Sequence, residues 1–302
     1  MTAQPIHSSD QLIARAIERA KAGQIKTVAV AAAQDADVID AVSQAQADGF
    51  LNGILVGDAA KIHALADEQN ISLDALEVVD EPDVKAAAHA AVKLAADRKA
   101  DLIMKGFLPT SALLKVVLDK QYTLRGPNTL SHCAVLDIPG YHKLLNFTDG
   151  GMVVKPTAEQ KLQIVDNAVL VARALNLEPV KVAVSVIDDD LLSTIHNKLH
   201  GVIVEGPMSF EEALANKLAG TPGSNEVTGD ADVYVTDSIE ECNVVAKALI
   251  NFTDTVFAGV IVGARVPVSL VSRTDTVKNK KASLAVACAI ADYYQQNRTS
   301  EK

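Results

Sequence analysis

The residues Ser272-Arg273-Thr274-Asp275 place a hydroxyl, a fixed cation and a carboxylate within four positions, directly after the apolar run Val268–Val271. An arginine offers phosphate two parallel N–H bonds and keeps its charge across the physiological range. A serine donates a hydrogen bond to a developing oxyanion, and an aspartate accepts a proton. The same residue types gather in ordinary loops, so taken alone the cluster marks an anion site and not a reaction. A second candidate follows the strand-like run Asp101–Met104, where Lys105-Gly106 leads to Pro109-Thr110-Ser111 at an expected helix start. Free N–H groups and hydroxyls there would seat an anion. The competing reading, which this segment alone favours, is that Thr110 or Ser111 caps the helix. Thr148-Asp149-Gly150-Gly151 carries one carboxylate in a tight turn, a place that aspartate often fills for the turn's sake.

Two acidic clusters, Gly229-Asp230-Ala231-Asp232 and Asp188-Asp189-Asp190, lack the length and spacing of a calcium loop. The second is expected to cap and begin a helix, whose dipole favours the charge. Of the seven histidines, His196 and His200 alone have helical ligand spacing. No Glu stands beside His196 and Gly201 ends the run, so an exposed helical face is expected. Cys133, Cys242 and Cys288 show neither disulfide nor metal-ligand spacing and are expected to be small buried hydrophobes. No metal site is expected.

The elements that must position these groups are drawn from a chain of 302 residues with 49% hydrophobic and 4% aromatic side chains and no Trp. The length favours two domains, and a core of Ala, Val, Leu and Ile suits parallel strands covered by helices. Few aromatics and a net charge of −10 argue against nucleic acid as a partner. The first residues lack the pattern of a signal peptide, and apolar runs such as Gly259–Ala264 are too short to span a membrane. A soluble, cytoplasmic protein is expected. Charge is unevenly spread: residues 1–100 are net −6, 101–146 net +2, 147–263 net −10 and 264–302 net +4. Folding that joins the two positive islands would create a local anion site.

Periodicity predicts helices over Leu12–Ala20, ended by Gly23, then Ala36–Ala47, Val84–Ala96, Thr110–Leu118, Ala158–Leu175 and Ser283–Tyr294. Strands are predicted at 27–32, 54–56, 76–79, 101–104, 133–138, 144–147, 182–187, 202–204, 233–235, 259–262 and 268–271. The runs 133–138 and 144–147 join through Pro139-Gly140-Tyr141, a hairpin-like link that makes the sheet mixed there. The alternation argues for an α/β fold with right-handed crossovers.

Lys105-Gly106 with Thr110-Ser111, Leu130-Ser131-His132-Cys133-Ala134-Val135, Thr148-Asp149, Gly229–Asp232 and Ser272–Asp275, in that order, resemble the phosphate acetyl/butyryltransferase family, closest to its phosphate butyryltransferase type. The resemblance implies reversible transfer of a short acyl group between coenzyme A and inorganic phosphate, butyryl more than acetyl. Coenzyme A is then a substrate, and no resident cofactor is expected. It also implies two α/β domains with a cleft between them, as in isocitrate and isopropylmalate dehydrogenases, and a homodimer. The first domain would combine 1–146 with 262–302, and the second would hold 147–261. On this reading Arg273 holds phosphate, Ser272 bonds the reacting oxygen, and Asp275, the nearest carboxylate, is the base. Lys105, Gly106, Thr110, Ser111, Ser131, Asp149, Asn243 and Gly263 would line the substrate site. Acetyl-type members of the family place the base further along, where this chain reads Val277-Lys278-Asn279, and Cys242 stands where the resemblance leads one to expect Gly before Asn243. Two other readings compete: a nicotinamide-dependent hydroxyacid dehydrogenase on the same fold, and a non-catalytic CoA-binding module. The first lacks a G-x-G-x-x-G after its first strand, where residues 31–35 read AAAQD.

Overall fold

The computed structural model describes residues 4–215, 217, 220–221, 224–272 and 274–300. In chain order the elements are α1 (Ser9–Arg19), β1 (Lys26–Ala31), α2 (Ala36–Ala47), β2 (Leu51–Gly57), α3 (Ala59–Glu68), β3 (Glu77–Asp80), α4 (Val84–Ala96), β4 (Leu102–Lys105), α5 (Thr110–Val117), β5 (Ser131–Asp137) and β6 (Leu145–Thr148). They continue with α6 (Ala158–Ala174), β7 (Val180–Val184), α7 (Asp189–Lys198), β8 (Val202–Glu205), α8 (Phe210–Leu214), β9 (Val233–Val235), α9 (Ile239–Phe252), β10 (Val256–Val262), β11 (Val268–Ser269) and α10 (Val277–Ser300).

The chain packs into two compact units, 10–127 with 258–302, and 1–9 with 128–257. The division expected from the resemblance falls instead at 146/147 and 261/262, so it groups 128–146 with the first domain. In the unit of residues 10–127 and 258–302 the strand order is β3-β2-β1-β4-β11-β10. The first five run parallel, and β10 is antiparallel to β11. Parallel strands are covered on both faces, which is why β4 is buried along its whole length; the antiparallel β10 is apolar and buried throughout as well. In the other unit β5 and β6 form the expected antiparallel hairpin, and β6, β9, β7 and β8 run parallel in that order.

Local chemistry sets the helix starts. Asp35, Asp58, Asp83, Asp188 and Ser238 each accept a first-turn N–H of their helix. Thr157 with Gln160 and Ser209 with Glu212 form capping boxes. Several element bounds shift from the sequence reading, as for β7, which spans Val180–Val184 against the predicted 182–187. Four departures have a clear physical reading or bear on the site. Helix α3 is absent from that reading. Strand β2 is longer than 54–56, because Asn52-Gly53 interrupts the apolar run without interrupting the ladder. A Cβ at Gly53 would lie 2.5 Å from Val42 Cγ1 and 2.6 Å from Leu76 Cδ2, so glycine there admits the covering side chains. Helix α10 begins six residues before Ser283, since the polar run Lys278–Lys281 hides its first turn. Strand β11 stops at Ser269 instead of Val271.

Candidate active site

Strands β4 and β11 are parallel neighbours, with Val268 opposite Ile103 and Ser269 opposite Met104. Lys105-Gly106 and Ser272 therefore leave the same edge of the sheet, the carboxyl edge where ligands of α/β proteins gather. Of the first positive island, residues 101–127, with four basic and two acidic side chains, lie in the same unit as 264–302, whereas 128–146 lie in the other. The Gly106 N–H donates to the Ala31 carbonyl at 2.9 Å, and a Cβ at Gly106 would strike the carbonyl oxygens of Ala31 and Ala32. Only glycine lets β4 leave the sheet so close to β1. The Lys105 ammonium is buried and donates to the Gly106 carbonyl at 3.2 Å.

Helix α5 opens with Pro109 as its cap residue and no side-chain cap bond. The capping role expected of Thr110 or Ser111 is therefore not seen, and Thr110 is half-buried while Ser111 is exposed. Ser272 and Asp275 bond each other: the Ser272 N–H donates to Asp275 Oδ2 at 2.6 Å, and the Asp275 N–H to the Ser272 carbonyl at 3.2 Å. The Asp275 carboxylate is thus engaged with main chain and is 4% exposed. The hydroxyls of Ser272 and Thr274 lie 3.2 Å apart. Arg273 lies outside the described residues. Gly263 has φ +96°, and its carbonyl faces Gly126, where no Cβ fits.

In the other unit Asp149 organises the loop after β6. Its Oδ1 accepts the N–H groups of His132, Gly151 and Met152 at 2.9, 3.0 and 3.1 Å, and its Oδ2 accepts Val153 at 2.8 Å. The Thr148–Asp149 peptide is cis. From α9, the Asn243 amide, which is exposed, reaches the Gly150 carbonyl at 3.5 Å. Cys242 Sγ would be 2.9 Å from a Cβ at Gly150, so Cys242 packs on this loop. Ser131 is wholly buried, and its hydroxyl accepts the Asn167 amide at 2.9 Å. Asn167 also donates to the Thr129 carbonyl at 2.9 Å, while Gln163 accepts the Thr129 N–H at 2.8 Å. Sequence reasoning missed this support. Its one signal is an Asn on the buried face of α6, between Ile164 and Ala168.

The remaining sequence candidates are structural. Burial pushes the Cys133 thiol up to about 12, and burial likewise raises Cys242 and Cys288. Asp188 caps α7 as expected, whereas α7 ends at Lys198 and leaves His200 outside it. Asp230 pairs with His142, Lys143 and Lys181, and Asp232 with Lys143. Burial alone would raise the Asp230 pKa, but bonds from Lys143, Lys181 and His142 outweigh it and hold it well below the carboxylate range. Among the described residues no three His, Cys, Asp or Glu side chains are grouped to hold a metal.

The family profile described as "Phosphate acetyl/butaryl transferase" matches residues 11–90, 81–187 and 189–288. The chain belongs to this family. A phosphate butyryltransferase of Clostridium acetobutylicum is 37% identical over 290 residues, covering 91% of this chain and 96% of that protein. Among solved structures, a branched-chain phosphotransacylase from Enterococcus faecalis superposes with TM-score 0.77 at 29% identity, covering 88% of this chain and 99% of that one. A 4-hydroxythreonine-4-phosphate dehydrogenase from Klebsiella pneumoniae shares the fold, at TM-score 0.56 and 13% identity over 88% of this chain and 99% of that one. The dehydrogenase-like α/β fold expected from the sequence is therefore observed in a phosphate acetyl/butyryl transferase. Among the described residues no helix is long and apolar enough to cross a membrane.

Proposed function

We propose that this family member catalyses acyl-CoA + phosphate = acyl phosphate + CoA, with a short acyl group of the butyryl or branched type. The observation that carries the reading is the 37% identity to a phosphate butyryltransferase across nearly the whole of both chains. In the forward direction a phosphate oxygen attacks the thioester carbonyl, the C–S bond breaks, and the thiolate leaves with a proton from the enzyme or solvent. In reverse, a base takes the CoA thiol proton and the thiolate attacks the acyl phosphate carbonyl. With a thiol pKa near about 8.5, one carboxylate is sufficient help at neutral pH. Arg273 is assigned to phosphate, Ser272 to the reacting oxygen and Asp275 to the base. Supporting this, Ser272 and Lys105-Gly106 emerge on adjacent parallel strands, each within a segment of net positive charge. Coenzyme A is a substrate, no resident cofactor is required, and the enzyme works in the cytoplasm as a homodimer.

The test is phosphate-dependent thiol release from acetyl-, propionyl-, butyryl- and branched acyl-CoA after chelator treatment, without nicotinamide. Highest kcat/KM with butyryl- or branched acyl-CoA is expected. Activity that a chelator abolishes and only a metal restores rejects the cofactor-free reaction. Reduction of a nicotinamide by a hydroxy acid, with no thiol release, rejects the acyltransferase itself.

A further inference from the structure

We propose that Lys280 is a positioning residue of the acyltransferase centre, holding Ser272 and Asp275 in place through the main chain. Its side chain is 1% exposed, among the largest fully buried side chains of the protein. The ammonium donates to the Asp275 carbonyl and lies 3.5 Å from Asp37 Oδ2 in the first turn of α2. Asp275 in turn is bonded to the Ser272 main chain through both its N–H and its carboxylate. A continuous relay thus runs from α2, through Lys280, to Asp275 and Ser272 beyond the end of β11.

Helix stability does not explain this lysine. It stands in the first turn of α10, after the Thr276 hydroxyl accepts the Asn279 N–H at 3.2 Å. A cation there opposes the helix dipole. Burying an ammonium is unfavourable unless it is paired and hydrogen-bonded, and an apolar side chain would fill the same space more easily. What the ammonium supplies is a strong, charge-assisted bond to one carbonyl. That carbonyl belongs to Asp275, and Ser272 and Arg273 stand three and two residues before it in the chain. Because the contact is to main chain, it acts whichever role the Asp275 carboxylate plays. Asp37 is 55% exposed and steadies the ammonium from the solvent side.

The inference rests on the acyltransferase reading for its catalytic consequence but not for its structural one, so two readouts are paired. Lys280→Met keeps the stem and removes the charge. Hydrogen exchange in the peptide spanning residues 270–276 should accelerate about tenfold, the scale of one lost charge-assisted bond. In steady-state assays the KM for phosphate should rise about tenfold, while the KM for acyl-CoA stays within about twofold. Unchanged exchange overturns the proposal. So does a loss of kcat in proportion to the fraction unfolded, with both KM values unmoved. Asp37→Asn, on an exposed helix start, guards against a Lys280→Met chain that does not fold. It should raise the phosphate KM about two- to threefold, and no change in that variant overturns the relay. A wild-type protein that releases no thiol defeats the acyltransferase reading, and the exchange experiment then still decides the positioning claim.

Discussion

Asp149 accepts four main-chain N–H groups, a load that only a carboxylate can carry. Asp149→Asn replaces an acceptor by a donor facing another N–H. The variant should lose about 1–3 kcal/mol, read as a lower denaturant midpoint at unchanged slope. Asp275 poses a different question, because its carboxylate is bonded to Ser272 and is also the assigned base. If it is the base, Asp275→Asn lowers kcat about 10²–10⁴-fold with phosphate KM little changed. A raised phosphate KM with kcat intact assigns it to orientation. Arg273→Ala should raise the phosphate KM, and Arg273→Lys should recover part of that, since an ammonium keeps charge but not the fork. The three buried, pKa-raised cysteines should ignore a thiol reagent in the native enzyme and react fully in denaturant. A fast-reacting native thiol would contradict their burial. Residue types made Ser272, Asp275 and Asp149 visible in the sequence. Asn167 and Lys280 were not, because their partners are main-chain atoms or residues far along the chain, which no local spacing encodes.

At the scale of elements, Asp292 of α10 holds both Lys26 at the start of β1, at 2.6 Å, and Arg19 at the end of α1, at 2.7 Å. Asp292→Ala leaves the buried Lys26 ammonium without its carboxylate and should cost about 3–5 kcal/mol in a denaturant titration. Asp292→Leu with Lys26→Met together should recover much of that. In the other unit, Asp230 ties β7 to the loop before β6. Its pKa is lowered in the fold, so its contribution is complete above the unfolded carboxyl value of about 4 and fades as pH falls toward the lower folded value. Asp230→Asn should flatten the fall of the melting temperature below about pH 4. Elements were legible where periodicity or a cap was strong: α2 and α4 match their expected bounds, and β9 does as well. Helix α3 escaped because four of its six apolar residues are alanines, which mark no clear face, and Ile62 and Ala66 alone are buried. The start of α10 escaped because the polar run Lys278–Lys281 breaks the apolar pattern.

For the whole molecule, light scattering tests the homodimer: a mass of one chain at assay concentration rejects it. The segments around Lys105 and Ser272 lie in one unit although more than 160 residues separate them, while 128–146, the rest of the first positive island, lies in the other. Composition could not show how they meet. That required the parallel pairing of β4 with β11, a non-local contact. The chain leaves this unit after Pro127 and returns at Ala258. On either side of that excursion the host segments are stitched together: Arg125 bridges Ala264, the Arg265 N–H donates to the Leu124 carbonyl at 2.8 Å, and Gly126 lies against Gly263. The stretch 128–257 is therefore a cassette loaded into a frame whose two lips are already sewn. Excising it should leave a frame that closes on itself, provided a splice of about six residues bridges back along β10 at roughly 3.3 Å per residue. By the same logic, foreign cassettes could be grafted at these lips.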